Sequence, residues 1–305
     1  MKILVTGGAG FIGSYVNKLL LKEGHTITVV DNLSRGHKES LDSKINFVQA
    51  DINDQQALEK VLPGHGAVIH MASYIEVGES VKNPVSFVEN NILGTVKLLE
   101  AMKNTGVNKM IFSSSACVYG RPTKIPLSED DPLQEQENPY GLTKVSVEQL
   151  CALYHKLFGL DVVILRYFNP YGPGEMHNPE THAIPNFIKS TLSKTPIPLF
   201  WKGEQVRDFI YIEDLAKAHI LALPLTGIHY FNVGTESGVK VIDVLNSIFQ
   251  IVGYKVPIKD KGKRAGDVPT LVASATKIKK ELGWKVETSL QDGLKKTIEF
   301  FKQNS

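Results

Sequence analysis

The chain has 305 residues, 42% of them hydrophobic and 22% charged, with a formal net charge of +2. That length can bury one large core or two modest ones, and the near-neutral balance argues against a nucleic-acid or anionic-membrane partner. No apolar run approaches the roughly 18 residues that span a bilayer. The opening Met1-Lys2-Ile3-Leu4-Val5-Thr6 reads as a strand and not as a secretory leader, so a soluble cytoplasmic protein is expected. Cys117 and Cys151 form neither a CxxC pair nor a metal-ligand spacing, which suits a reducing compartment and predicts no metal.

In chain order, short continuous apolar runs alternate with helical patterns. Strands are predicted over 3–6, 26–30, 46–49, 67–71, 109–113 and 162–166; their Val- and Ile-rich runs suit parallel strands covered on both faces. Between them, a helix is predicted over 11–23, with Ile12, Val16, Leu19 and Leu20 on one face, and another over 84–103. A third starts at Pro139 with Asn138 as its N-cap. This rhythm predicts an α/β fold, a doubly wound parallel sheet of the Rossmann type. The pattern loosens after Asn169, where Pro and Gly cluster over 169–174. Helices near 184–193, 213–223, 241–251 and 290–301, with short β-like pieces between them, predict a smaller C-terminal α/β substrate-binding lobe. The expected division is a dinucleotide domain over 1–168, completed by a strand near 229–233, and a second lobe over 169–305.

The turn Thr6-Gly7-Gly8-Ala9-Gly10-Phe11-Ile12-Gly13 follows the first strand and opens the first helix. Glycine suits a tight turn, close backbone approach to a pyrophosphate and close helix–strand packing. The helix N-terminus then presents free N–H groups and positive dipole to the phosphates. Asp31 ends the second strand about twenty residues on, where a carboxylate accepts from ribose hydroxyls and repels a 2′-phosphate. NAD is therefore favoured over NADP, although Arg35 is near enough in sequence to blunt that repulsion.

Ser113-Ser114-Ser115 ends the fifth strand, at the edge of the sheet that faces a ligand. Tyr140 and Lys144 stand one helical turn apart on one face. A phenol near its usual pKa of about 10 is too weakly acidic to serve as a base at neutral pH, and a nearby ammonium is expected to lower it. Arg207 and Arg264 are of the residue type suited to bidentate anion contacts. The competing structural readings are a salt bridge from Arg207 to Asp208 or Asp214, and a solvated basic run around Arg264. His70 reads as a satisfied histidine near a strand end.

These segments, with 51–52, 77–80, 90–91, 113–120, 166–170, 206–209 and 264–267, resemble the extended short-chain dehydrogenase/reductases of the NAD-dependent epimerase/dehydratase type, most of all the UDP-glucose (UDP-galactose) 4-epimerases. The resemblance spans nearly the whole chain. It implies that Gly7, Gly10, Phe11, Ile12 and Gly13 hold the dinucleotide, Asp31 and Asn32 its adenosine ribose, and Asp51 and Ile52 its adenine. Met71, Ala72 and Ser113 would line the cofactor, Met71 by packing, and Asn91, Tyr140, Lys144 and Tyr167 would meet its nicotinamide half. Ser115, Tyr140 and Lys144 become the catalytic set, Ser115 on the sugar 4-oxygen and Tyr140 as base and then acid. Asn169, Phe200, Arg207, Arg264 and Asp267 would bind the UDP part of a UDP-sugar, Phe200 by stacking on uracil.

The implied reaction removes hydride from C4, turns the 4-keto sugar and returns hydride to the opposite face, with NAD retained throughout. Ser115-Ala116-Cys117 lacks the carboxylate that related dehydratases and decarboxylases carry there, which favours simple return. An NAD-sensing scaffold is disfavoured because the Ser, Tyr and Lys are all present. Ile75 in place of a frequent Lys, His182-Ala183 in place of Asn-Leu, Trp201 in place of Gly and Leu271 near a bulky Tyr position leave the sugar open. A UDP-N-acetylhexosamine, UDP-uronic acid or UDP-pentose are the alternatives. The resemblance also implies a homodimer, paired through the helices that begin near Pro84 and Pro139.

Overall fold

Strands β1 (Lys2–Thr6), β2 (Thr26–Asp31), β3 (Asn46–Gln49), β4 (Ala67–His70), β5 (Lys109–Ser115) and β6 (Asp161–Tyr167) lie within two residues of their sequence-based bounds. They are followed by β7 (Asn169–Tyr171), β8 (Ile197–Leu199), β9 (Val206–Tyr211), β10 (Ile228–Val233), β11 (Gly238–Lys240), β12 (Ile258–Asp260) and β13 (Thr270–Leu271). In this computed structural model the described residues are 1–176, 182–263 and 267–304. They divide into two units: residues 1–120, 132–167 and 216–231, and residues 121–131, 168–215 and 232–305.

The first unit is built on a seven-stranded sheet of order β10-β6-β5-β4-β1-β2-β3. Every neighbouring pair from β6 to β3 is parallel. The doubly wound sheet expected from the apolar runs is therefore present, and β10 completes it at the β6 edge. Ile3, Leu4, Val5, Ile27, Val29, Val68, Ile69, Met110, Ile111, Val162 and Ile164 are all buried, as continuous apolar runs covered on both faces require. Each such side chain contributes roughly 1.5–3 kcal/mol of burial. The order reverses between β1 and β4, and a reversal of that kind opens a crevice at the carboxyl ends of the strands. The glycine turn after β1, Asp31 on β2, Met71 and Ala72 after β4, Ser115 on β5 and Tyr167 on β6 all stand at that one edge.

Helices α1 (Phe11–Lys22) and α2 (Gln55–Val61) follow the first strands, and α3 (Val77–Lys82), α4 (Pro84–Phe87) and α5 (Gly94–Thr105) lie between β4 and β5. The single helix expected over 84–103 is interrupted: Val88–Leu93 is a π-helical turn between α4 and α5. The wider turn lets two consecutive polar residues, Asn90 and Asn91, both be buried, and such turns cluster at functional sites. Helix α6 (Pro139–Phe158) begins as its sequence requires, with Asn138 Oδ1 accepting from Gly141 N–H at 2.9 Å and Pro139 in the first turn.

Helices α7 (Ala183–Leu192), α8 (Ile212–Ala222), α9 (Val241–Val252), α10 (Thr276–Leu282) and α11 (Leu290–Gln303) complete the chain. The second unit centres on β9, which pairs antiparallel with β11 and parallel with β13 and β7. Strands β8 and β12 form a separate parallel pair. Asp208 on β9 is fully buried and accepts from Thr235 N–H and Oγ1–H, Glu236 N–H and Ala273 N–H, which ties three segments to this strand. Among the described residues no helix is long and apolar enough to cross a membrane.

Candidate active site

The turn after β1 is shaped for an anion. Gly7 has φ +70°, and a Cβ there would lie 2.6 Å from Ala72 N. At Gly13 a Cβ would lie 2.7 Å from Gly7 O and Gly8 Cα, so any side chain would push α1 off the turn. Gly10, the N-cap of α1, gives no side-chain cap, and the first turn carries no acidic residue. That combination leaves the positive end of the helix for a ligand phosphate. Asp31 is buried at the end of β2, where its carboxylate accepts from Ala9 N–H at 3.0 Å and Leu33 N–H at 2.8 Å. Asn32 donates to Asp51 at 2.7 Å. Burial would raise the Asp51 pKa, but hydrogen bonds from Asn53 and Asn32 and the charge of Lys97 together hold it below the usual value. Ile52 is buried against Gly94. This cradle of glycines with a ribose-height carboxylate fits a dinucleotide of the NAD type.

The catalytic residues expected from sequence meet in the first unit. Ser115 lies near enough to the Tyr140 phenol to act on its acidity, and its hydroxyl accepts from Cys117 N–H at 3.2 Å. Lys144 is almost fully buried; its Nζ donates to Ser113 O at 2.8 Å and lies 5.8 Å from the centre of the Tyr140 ring. Burial drives the Lys144 pKa down to about 7, against the opposing charges of Glu148 and Cys117. Burial likewise pushes the Tyr140 phenol well above its usual value, with Cys117, Glu76 and Tyr167 adding to the effect and Ser115 opposing it. The phenol thus runs against the expectation that Lys144 lowers it, because desolvation of the buried phenolate is the largest influence on it in the chain by itself.

Supporting residues surround this set, and two of them, Glu148 and His219, carry no motif in the sequence. Tyr167 turns its hydroxyl to Ser113 Oγ at 2.6 Å and His219 Nε2 at 2.5 Å. Glu148 accepts from Ser114 Oγ and takes both Nε and Nη2 of Arg166. Its i,i+4 spacing from Lys144 is the one hint that the sequence holds. Asn91 is spent on structure, accepting from Tyr74 N–H and donating to Tyr74 O and Thr143 Oγ1. His70, fully buried, bridges Thr6 and Thr95. Thr95 Oγ1 donates to Asn91 O, so it accepts from His70 Nε2–H, and His70 Nδ1 accepts from Thr6. Burial and the charge of Lys144 push the His70 pKa down to about 3; it is the satisfied neutral histidine that the sequence suggests.

In the second unit Arg207 pairs with Asp267 and donates to Val268 O at 2.7 Å and Val206 O at 2.9 Å. It bridges neither Asp208, spent on backbone N–H groups, nor Asp214, which accepts from Glu287 and Thr288. Asn169 opens β7, opposite Phe209 of β9. Phe200 is followed by three left-handed residues, Trp201 (φ +53°), Lys202 (φ +52°) and Gly203 (φ +76°). The left-handed backbone costs a non-glycine residue roughly 1–2 kcal/mol. Trp201 N–H is anchored on Gly262 O at 2.8 Å, and Lys263 Nζ lies 5.3 Å over the indole. Arg264 lies outside the described residues.

Residues 3–234 match the model of a family described as the NAD dependent epimerase/dehydratase family. The chain is 41% identical over 304 residues to a UDP-glucose 4-epimerase of Lactobacillus helveticus, covering 93% of this chain and 92% of that protein. It superimposes with a TM-score of 0.95 and 37% identity on the UDP-glucose 4-epimerase of Thermotoga maritima solved with UDP-glucose, over 100% of this chain and 99% of the other. For the UDP-glucose 4-epimerase of Bifidobacterium longum in complex with NAD+ and UDP, the TM-score is 0.96 at 32% identity, over 100% and 99%.

Proposed function

We propose that this chain, which belongs to the NAD dependent epimerase/dehydratase family, is an isomerase that inverts C4 of a UDP-hexose and so interconverts UDP-glucose and UDP-galactose. The observation that carries this reading is the meeting of Ser115, Tyr140 and Lys144 at the same carboxyl edge of one parallel sheet as the glycine cradle. NAD, when bound in that cradle, supplies the hydride acceptor and donor for C4, together with a positive charge that favours the Tyr140 phenolate.

The chain's own residues do the rest. Tyr140 Oη takes the proton of the sugar 4-hydroxyl and later returns it; general-base catalysis of this kind contributes roughly 10²–10⁴-fold. Ser115, beside the phenol, holds the 4-oxygen in line. Lys144, fixed on Ser113 O, supplies the local cation in its protonated form. Asp31, Asn32, Asp51 and Ile52 hold the adenosine end, and the turn from Gly7 to Gly13 holds the pyrophosphate. In the second unit Asn169, Phe200, Arg207, Arg264 and Asp267 hold UDP, with Arg207 exchanging part of its contact with Asp267 for a phosphate. No carboxylate follows Ser115, so nothing there promotes elimination from C5 or C6.

The test is an NMR assay of the full chain with a panel of UDP-sugars and no added dinucleotide. Interconversion of UDP-glucose and UDP-galactose, with NAD carried by the protein, is expected. Conversion of neither, or net release of NADH, would overturn the reading. The same panel, with UDP-N-acetylglucosamine, a UDP-uronic acid and a UDP-pentose, defines the sugar.

We further propose a cytoplasmic location, on the two cysteines outside any disulfide, and a homodimer. Val81, Val85, Val88 and Leu93 along the α3–α5 segment and Leu142, Leu153, Leu157 and Phe158 along α6 are exposed apolar residues that a second copy would cover. Light scattering should give twice the chain mass; a monomer would remove this assignment.

A further inference from the structure

We propose that Glu76 makes this chain reject a 2′-phosphorylated dinucleotide, by sequestering the cation best placed to neutralise the phosphate, Arg35. The inference rests on the dinucleotide reading of the glycine cradle and concerns its selectivity.

Arg35 stands four residues past Asp31, in a loop that folds back onto that carboxylate. Leu33 N–H donates to Asp31 Oδ1 at 2.8 Å. Gly36 packs so closely that a Cβ there would lie 3.0 Å from Asp31 Oδ2 and 2.9 Å from Ala9 Cβ. His37 N–H closes the loop on Ala9 O at 2.9 Å. The Arg35 side chain therefore leaves the backbone beside the residue assigned to the ribose hydroxyls. An arginine in that place is the residue type that accommodates a 2′-phosphate.

Its guanidinium is held elsewhere. Arg35 Nε lies 3.3 Å from Glu76 Oε1, and the guanidinium carbon lies 5.3 Å over the Tyr74 ring. Glu76 is itself buried, 3% exposed, and its second oxygen accepts from Ile75 N–H at 3.1 Å. The segment that carries both anchors is fixed in turn: Asn91 bonds both the N–H and the C=O of Tyr74, at 2.8 and 2.9 Å, and Phe87 packs edge-on against the Tyr74 ring. A buried carboxylate and an aromatic face thus compete for the cation from a rigid support. Asp31 and Glu76 together outnumber Arg35, so the surroundings of the ribose stay net negative and a phosphate dianion is repelled. With Glu76 neutral, the guanidinium loses its buried carboxylate partner and the charge balance with Asp31 is even.

The test is calorimetric titration of the full-length chain, freed of dinucleotide, with NAD+ and with NADP+. Glu76→Gln should raise the affinity for NADP+ relative to NAD+ by about tenfold or more, the scale of one additional charge-assisted hydrogen bond to the ligand. Adding Arg35→Met to Glu76→Gln should abolish that increase. Arg35→Met alone should give no gain in NADP+ affinity, since it removes a positive charge and leaves Glu76 and Asp31 in place. If Glu76→Gln unfolds the chain, Glu76→Asp, with a shorter reach to Arg35, should give a smaller shift in the same direction. An unchanged NADP+/NAD+ ratio in variants that still bind NAD+, or an increase that persists without Arg35, would overturn the proposal. If the unaltered chain binds neither dinucleotide, the reading of the cradle fails instead.

Discussion

In the first unit Lys144 is stripped of water on nearly all sides, fixed to a strand-end carbonyl, and driven to a pKa of about 7. In the second unit Arg207, also buried, pairs with Asp267, whose side chain is 24% exposed. Both are buried cations assigned to the same reaction, yet Lys144 rests on a backbone carbonyl and Arg207 also holds a carboxylate. Burial is a property of the packed sheet, and a ligand cannot displace it. An ion pair is exchangeable, because a phosphate offers the guanidinium the same charge-assisted hydrogen bonds as the carboxylate. The difference suggests why proton chemistry is placed on strand ends and a long helix, whereas anion recognition is placed on short strands and the loops beside them.

The strongest test of this contrast is Tyr140→Phe, which removes the proton carrier and leaves packing nearly intact. Turnover of UDP-glucose should fall by roughly 10²–10⁴-fold, with KM and bound NAD little changed; turnover at a near-normal rate would show that the buried side carries no proton chemistry. Next is Arg207→Ala. Losing charged hydrogen bonds worth about 1.5–3 kcal/mol should weaken UDP binding roughly 10–100-fold, read by calorimetry, and raise KM more than it lowers kcat.

Lys144→Met separates stability from activity. In the folded chain Lys144 titrates at about 7, against an ordinary value of 10.5, so between these values the unfolded chain binds more protons and stability rises with pH. The Met variant lacks that slope. It should be inactive yet more stable than the parent at pH 6, with the advantage shrinking towards pH 10, as measured by urea denaturation. An advantage that is constant with pH would show that Lys144 is not held by burial. His70→Leu should have the smallest effect. It leaves the Thr6 hydroxyl without its acceptor, at about 1–3 kcal/mol, while Thr95 still donates to Asn91 O. His70 in the folded chain titrates at about 3 against 6.5; its neutral burial makes stability fall as pH drops from 6.5 towards 3, and the variant should lose that acid-side slope.

Much of this is legible in the order of residues. Continuous Val and Ile runs could only be strands covered on both faces, and β1 to β6 lie within two residues of where those runs place them. Glycines after a strand and before an amphipathic helix could only form a tight turn, and Asn138-Pro139 could only start a helix. Tyr140 and Lys144 then had to share a face. These are statements of local period and local backbone geometry, which sequence encodes directly.

Four features were settled only by tertiary structure. The helix over 84–103 contains a π turn that carries two buried asparagines, Asn91 bonded to Tyr74 and Thr143 from elsewhere in the chain and Asn90 to Asn91. Arg207 pairs with Asp267 and not with Asp208 or Asp214, because backbone N–H groups far away in sequence had already claimed those two. Glu76 finds Arg35 forty-one residues back. The direction of the Tyr140 shift was likewise invisible: spacing shows that an ammonium is near, whereas desolvation depends on every atom packed around the phenol. Sequence by itself determined which elements form and which residues stand at strand ends; only the fold decided which charges meet and how dry they are, because pairing and burial are set by contacts between segments that local sequence does not record.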